Sequence, residues 1–174
     1  MKFETTRFAG ARLIVPDRAR DARGYFMRTY CAREFEAEGL ETGFVQHSTS
    51  FSARRGTVRG MHWQAAPHGE VKVVRCLKGA IVDVIVDIDP NSRTYRAWQA
   101  FELSADNEYQ LYIPKGFAHG FQTLTDDVLV GYLISEFYAP DAARGARHDD
   151  TAFGIEWPLA VTEMSDKDRG WPDF

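Results

Sequence analysis

The sequence predicts an all-β fold, a closed barrel or jelly roll that carries only a few short helices. Short apolar or alternating segments recur at even spacing and are broken by Gly, Pro, Asn and Asp, as barrel strands are. Two glycine-bracketed histidine segments fall within that pattern. They are Gly56-Thr57-Val58-Arg59-Gly60-Met61-His62-Trp63-Gln64 and Ile113-Pro114-Lys115-Gly116-Phe117-Ala118-His119-Gly120-Phe121. With 174 residues, 44% hydrophobic and 13% aromatic, residues 1–174 suffice for one substantial core and are expected to form a single domain.

Phe8 to Pro16 reads as a strand, and Gly24 to Tyr30 as another, entered through the turn-like Arg20-Asp21-Ala22-Arg23. Cys31 to Leu40 is the best short helix, with Phe35 and Leu40 on one side of a charged segment and Gly39 near its end. Phe44 to Phe51 resumes an extended pattern. Val71 to Asp89 alternates or runs apolar around Lys78-Gly79, which predicts two paired strands buried on at least one face. Lys72, Val74 and Cys76 share a face of the first, and Ile81, Asp83, Ile85 and Asp87 share a face of the second. Trp98 to Leu103, Gln110 to Ile113, His119 to Leu124 and Val128 to Phe137 supply further short strands. No repeat, low-complexity tract or linker interrupts them.

Composition narrows the function classes. A net charge of −4 argues against a general nucleic-acid binder, because phosphate neutralisation needs a basic face. No apolar run is long enough to span a bilayer or follows a charged start, so a soluble, unexported, cytoplasmic protein without a membrane partner is expected. Cys31 and Cys76 are too few to staple the fold, and Cys76 reads as a buried small hydrophobe in a reducing compartment.

The two histidine segments resemble the signature regions of a cupin barrel. There the first region normally supplies two histidines one residue apart plus a glutamate, and the second supplies a further histidine. Gln64 stands at the second histidine position and is a poor ligand. His62, Glu70 and His119, with His68 as a substitute, still leave a metal-binding cupin such as a dioxygenase or isomerase open. Arg59 and Lys72 would repel an ion and suit an anionic substrate, so neither a metal nor another cofactor is expected.

A more specific resemblance covers nearly the whole chain. Arg23-Gly24-Tyr25-Phe26, Phe44-Val45-Gln46, Val58 to Gln64, Val71-Lys72-Val73-Val74-Arg75, Asp83-Val84 with Val86-Asp87, Ile113 to Phe121, Phe137-Tyr138-Ala139-Pro140 and Gly154-Ile155-Glu156-Trp157-Pro158 occur in order and in register. This series is similar to the dTDP-4-dehydrorhamnose 3,5-epimerase family. The resemblance implies a metal-free double-stranded β-helix jelly roll of the cupin type, forming a homodimer with exchanged N-terminal strands. It also implies a nucleotide-sugar substrate, a 4-keto-6-deoxyhexose inverted at C3 and/or C5 on the way to L-rhamnose and related sugars.

That reaction needs a base near neutral pKa, a cation or donor for the enolate oxygen, and an acid on the opposite face. His62 fits the base by its intrinsic pKa, and Lys72 is a point charge among the apolar Val71, Val73 and Val74. The resemblance adds Asp168, in Ser165-Asp166-Lys167-Asp168, as the carboxylate that holds the imidazole, and Tyr132 as the proton donor. A phenol can deliver a proton without carrying charge into an apolar barrel. The same resemblance makes Arg23, Arg59 and Lys167 contacts to the nucleotide sugar, Arg23 from the partner subunit, and makes Gln46 and His119 further binding residues.

Read singly, these residues have blander roles. His62 would be a hydrogen-bonded structural histidine, His119 a strand cap, Tyr132 a barrel-wall aromatic and Asp168 part of a solvated tail beside Asp166 and Asp173. His47, His68 and His148 read as surface or structural. The chain also departs from the family. Gln46-His47-Ser48-Thr49-Ser50 stands for Gln-Asp-Asn-His-Ser, Arg28 and Ala143 replace glutamates, and Arg147-His148-Asp149-Asp150 replaces a Trp-containing segment. These changes lie outside the proton-transfer set and bear on which nucleotide or sugar is taken. A 3- or 5-monoepimerase for another nucleotide-linked 4-keto sugar, and a non-catalytic sugar-binding module, remain the alternatives.

Overall fold

The computed structural model describes residues 1–174 and is built from thirteen strands, two short α-helices and one 3-10 turn at Pro140–Ala142. In chain order the strands are β1 (Lys2–Thr5), β2 (Arg12–Val15), β3 (Arg18–Asp21), β4 (Gly24–Met27), β5 (Gln46–Ser52), β6 (Val58–Gln64) and β7 (Lys72–Lys78). They continue as β8 (Ala80–Asp87), β9 (Trp98–Ser104), β10 (Gln110–Ile113), β11 (Phe117–Thr123), β12 (Val128–Ile134) and β13 (Ala143–Gly145). Helix α1 spans Ala32–Ala37 and α2 spans Asp166–Arg169. Two antiparallel sheets face each other, one in the order β1-β2-β10-β7-β12-β5 and the other β13-β6-β11-β8-β9, while β3 and β4 form a separate hairpin. This is a cupin jelly roll.

The sheets are held by the side chains between them. Val74 and Cys76 of β7, Leu111 of β10 and Val130 of β12 meet Ile81 and Ile85 of β8, Leu103 of β9 and Phe121 of β11. Each is essentially shut off from solvent, and burying a side chain of this kind contributes about 1.5–3 kcal/mol. The outer faces are covered too. Phe35 of α1 packs with Ile14, Val71, Val73 and Tyr112 outside the first sheet. The C-terminal segment lays Phe153, Trp157 and Phe174 over Met61, Val84 and Val86 outside the second. Strands buried on both faces read as continuous apolar runs, which is why Val71 to Asp89 shows so little alternation.

That run is not a hairpin. β7 pairs with β10 and β12, whereas β8 pairs with β11 and β9, so the turn at Lys78-Gly79 carries the chain from one sheet to the other. Both inward faces then line the same core, and the expected face-sharing of Val74 with Cys76 and of Ile81 with Ile85 is kept. Other boundaries also differ from expectation. Phe8 lies before β2 in a turn closed at Gly10 and drops its ring into the core. The strand from Gly24 stops at Met27, and Arg20-Asp21 belongs to β3, leaving Ala22-Arg23 as the turn. β1, β13 and α2 have too few residues to show a period.

One contact brings the two histidine segments together. β6 and β11 are antiparallel neighbours with His62 opposite His119, but two residues on, Phe121 stands opposite Arg59, so the register shifts between them. Gly60 and Gly120 sit at the shift. Gly60 has φ of +126°, and a Cβ there would lie 2.5 Å from the Gly120 Cα. Only two glycines let the backbones approach this closely. Gly60→Ala is therefore expected to cost about 2–4 kcal/mol from strain and overpacking together. Urea unfolding reads this as a lowered midpoint; an unchanged midpoint would mean the glycine pair is not under constraint.

Candidate active site

A cleft of about 410 Å³ opens into the barrel, and its lining includes His62, Lys72, His119, Tyr132, Lys167 and Asp168. Arg59 lines it as well. His62 and His119 come from neighbouring strands of the second sheet. Tyr132 and Lys72 come from β12 and β7 of the first, where Tyr132 stands opposite Val74 and Ile134 opposite Lys72. Side chains two residues apart share a face, so Tyr132 and Lys72 both point inward. The imidazole and the phenol thus project from opposite walls into one space.

His62 is backed by a buried carboxylate. One ring nitrogen (Nε2) lies 2.6 Å from Oδ1 of Asp168, whose side chain is 5% exposed, while the imidazole is 41% exposed toward the cleft. The Gly60 N–H donates to the other carboxylate oxygen at 3.3 Å. Burial alone would raise the Asp168 pKa, but the hydrogen bond and charge of His62 and the Gly60 N–H outweigh it and hold the carboxyl below its ordinary range. With Nε2–H donated to Asp168, the other ring nitrogen carries the lone pair.

The polar C-terminal tail does more than meet solvent. Ser165 caps α2 by accepting from the Asp168 N–H at 3.1 Å, and the single turn directs the Asp168 carboxylate inward to His62. Ser165-Asp166-Lys167-Asp168, Ser followed three residues later by an acid, is a cap pattern from which the sequence could have placed a helix here. Trp171 also lines the cleft and escaped the sequence reading. Its ring fills the space over Gly145 of β13, where a Cβ would meet it at 2.2 Å, and the Lys167 ammonium lies 5.3 Å above it.

A second histidine–aspartate pair lies deeper. Nε2 of His119 is 2.9 and 3.1 Å from the oxygens of Asp83, which is wholly buried. Burial pushes the Asp83 carboxyl up, opposed by His119 and by the positive charge of Lys72. Across the cleft, the Tyr132 hydroxyl is 2.9 Å from the Ser50 hydroxyl. Burial drives its pKa up to about 12 despite that hydrogen bond, so the phenol stays protonated.

The nominated metal ligands are committed elsewhere. Gln64 donates to the carbonyls of His68 and Phe137 at 3.1 and 3.3 Å and accepts from the Ala139 N–H at 2.7 Å, so it clamps two loops. His68 is exposed, Glu70 pairs with Lys72, and no three His, Cys, Asp or Glu side chains are grouped to hold an ion. The residues present do not fit a metal. Arg59 is fixed at the rim by bonds to the Ser52 hydroxyl (3.0 Å) and the Phe51 carbonyl (2.7 Å). Two expected binding residues stand apart from the lining. Arg23 projects from the β3–β4 turn, paired with Asp21 and almost fully exposed, and the Gln46 amide accepts from the Tyr138 N–H at 2.8 Å. Of the departures, Ser48 and Ala143 line the cleft, while Arg28 pairs with Glu34 outside it.

A cupin jelly roll whose cleft gathers a carboxylate-backed imidazole and a phenol has the groups that acid–base chemistry uses. Residues 5–174 match the family model described as dTDP-4-dehydrorhamnose 3,5-epimerase. A curated protein of that name from Sinorhizobium fredii is 42% identical over 175 residues, covering all of this chain and 90% of its own. The crystal structure of the Bacillus anthracis dTDP-4-dehydrorhamnose 3,5-epimerase, with TDP and PPi bound, superposes with a TM-score of 0.97. It is 41% identical, with 99% of each chain covered. A 3'-monoepimerase from Streptomyces bikiniensis in complex with dTDP-quinovose gives 0.89 at 30% identity, covering 97% of this chain and 85% of its own. The chain belongs to the dTDP-4-dehydrorhamnose 3,5-epimerase family, a family of isomerases.

The raised Tyr132 pKa gives a direct test. An ordinary tyrosine ionises near pH 10. Subtracting the ultraviolet pH titration of Tyr132→Phe from that of the wild type should leave no phenolate signal up to about pH 11. A difference that grows through about pH 10 would show an ordinary, solvated phenol.

Proposed function

We propose that this chain epimerises a dTDP-linked 4-keto-6-deoxyhexose at C3 and C5, a step toward an L-rhamnose-type deoxysugar. The observation that carries the reading is the placement of His62 and Tyr132 on opposite walls of one cleft, the first with a lone pair and the second with a proton. Inversion beside a ketone asks for that pair. The free nitrogen of His62 removes the proton from the carbon next to the carbonyl. Asp168 stabilises the imidazolium that forms, while the electron pair moves onto the ketone oxygen and the Lys72 ammonium meets the developing charge. The Tyr132 hydroxyl then protonates the opposite face of the carbon, and Ser50, 2.9 Å away, donates to the phenolate left behind. Bulk solvent restores both groups before the second carbon reacts.

Binding follows the charge pattern. Arg59 and Lys167 at the cleft match the diphosphate, and His119 the sugar, while Gln46 reaches the site through its bond to Tyr138 of the lining. The substrate sits between two copies of the chain, with the β3–β4 hairpin exchanged so that Arg23 enters the partner's cleft. The 74% exposure of Phe26 beside Arg23 supports this, since such a ring gains by being covered. No helix is long and apolar enough to cross a membrane, and the free thiols of Cys31 and Cys76 fit work in the cytoplasm.

Incubating the protein with dTDP-4-keto-6-deoxyglucose and following the sugar by proton NMR tests this reading. The wild type should form the C3,C5-inverted sugar. His62→Ala should lose at least about 100-fold in rate while binding dTDP as before. A product inverted at one carbon would make it a monoepimerase. A His62→Ala variant of normal rate would remove His62 as the base.

A further inference from the structure

Lys72 is not a free cation. Its Nζ lies 2.8 Å from Oε1 of Glu70, and both side chains are only 12% exposed. The two carboxylate–imidazole pairs of the site back His62 and His119, whereas Glu70 backs the group that meets the enolate. Glu70, Lys72, Trp63 and Gln64 line both the reaction cleft and a second cavity of about 550 Å³ among the loops at residues 65–69, 88–90 and 115–116. The ion pair therefore forms part of the wall between two spaces, and a lysine with four rotatable side-chain bonds has room on either side. The backbone beneath Glu70 is pinned. The Val71 N–H donates to the Ser135 hydroxyl at 2.8 Å, and the Val71 carbonyl accepts from the Ser135 N–H at 3.0 Å. A carboxylate on a fixed backbone can hold an ammonium in place; one on a mobile loop cannot.

We propose that Glu70 is the positioning residue for Lys72, tethering its ammonium on the reaction side of that wall against the enolate oxygen. The inference rests on the function proposed above. An ammonium has three donors, so one can stay with Glu70 while another meets the oxygen. Without the tether Lys72 is drawn to the buried Asp83, whose carboxyl already feels its charge, or swings into the second cavity. The sequence hid this role, because Glu70 lies just outside β7 and its spacing from His62 marked it as a metal-ligand position.

The test is a double-mutant cycle on deuterium exchange into the sugar, with dTDP affinity as the control. Glu70→Gln should lower kcat by about 10–100-fold while changing the dTDP Kd less than about twofold. Glu70→Asp keeps the charge but is one methylene short, and should also be slow. In a Lys72→Met background, Glu70→Gln should have no further effect, since Glu70 acts through Lys72. The double variant also removes the whole ion pair, so no charge is left buried and unpaired, and thermal unfolding confirms that it folds. Additive losses, a normal kcat for Glu70→Gln, or full rescue by Glu70→Asp would each overturn the tether. A wild type that exchanges no deuterium would defeat the proposed function itself and take the tether with it. A wild type that exchanges while the cycle is additive would defeat the tether alone.

Discussion

Everything at the site depends on how closely β6 and β11 approach. Gly60 and Gly120 meet where the register shifts, and their contact places His62 beside His119 on one wall of the cleft. The same turn of backbone aims the Gly60 N–H at Asp168, so a single glycine sets the strand spacing and helps ionise the carboxylate behind His62. A larger side chain at either glycine would force β6 and β11 apart within their sheet and move His62 away from His119.

The cleft distributes its charges by depth. The two imidazoles each carry an aspartate, but they face different surroundings: His62 opens toward the cleft, whereas His119 lines it more deeply over the wholly buried Asp83. Tyr132 is partly buried against the core, and its neutrality follows from that desolvation, since an ionised phenol there would be poorly solvated. Lys72, in the same wall, pairs with Glu70 at 2.8 Å, so neither side chain is left without a partner.

Much of this was legible in the sequence, and the parts that were not share a physical cause. The strands from Gln46 to Ile134 announce themselves through apolar runs and turn residues, and the histidine segments stand out by their glycines. Sheet membership is invisible, because a run buried on both faces looks the same whether its neighbour in sequence is its partner or lies across the core; hence β7 and β8 were expected to pair. Asp168 and Glu70 also elude a local reading. One lies 106 residues from the imidazole it supports, on a single helical turn, and the other owes its meaning to a lysine held between two cavities. The family resemblance supplied Asp168 but was silent on Glu70. Arg23 and Gln46, also taken from the resemblance, lie outside the lining of this chain's own cleft, Arg23 at a hairpin tip.

The central claim is that proton removal and proton return are performed by different residues on different walls. Deuterium incorporation at C3 and C5, measured by NMR in deuterated water with Tyr132→Phe, tests it most directly. The account predicts that His62 still removes protons, so deuterium enters while inversion becomes inefficient. Equal loss of exchange and inversion would contradict it and make Tyr132 a structural aromatic of the barrel wall.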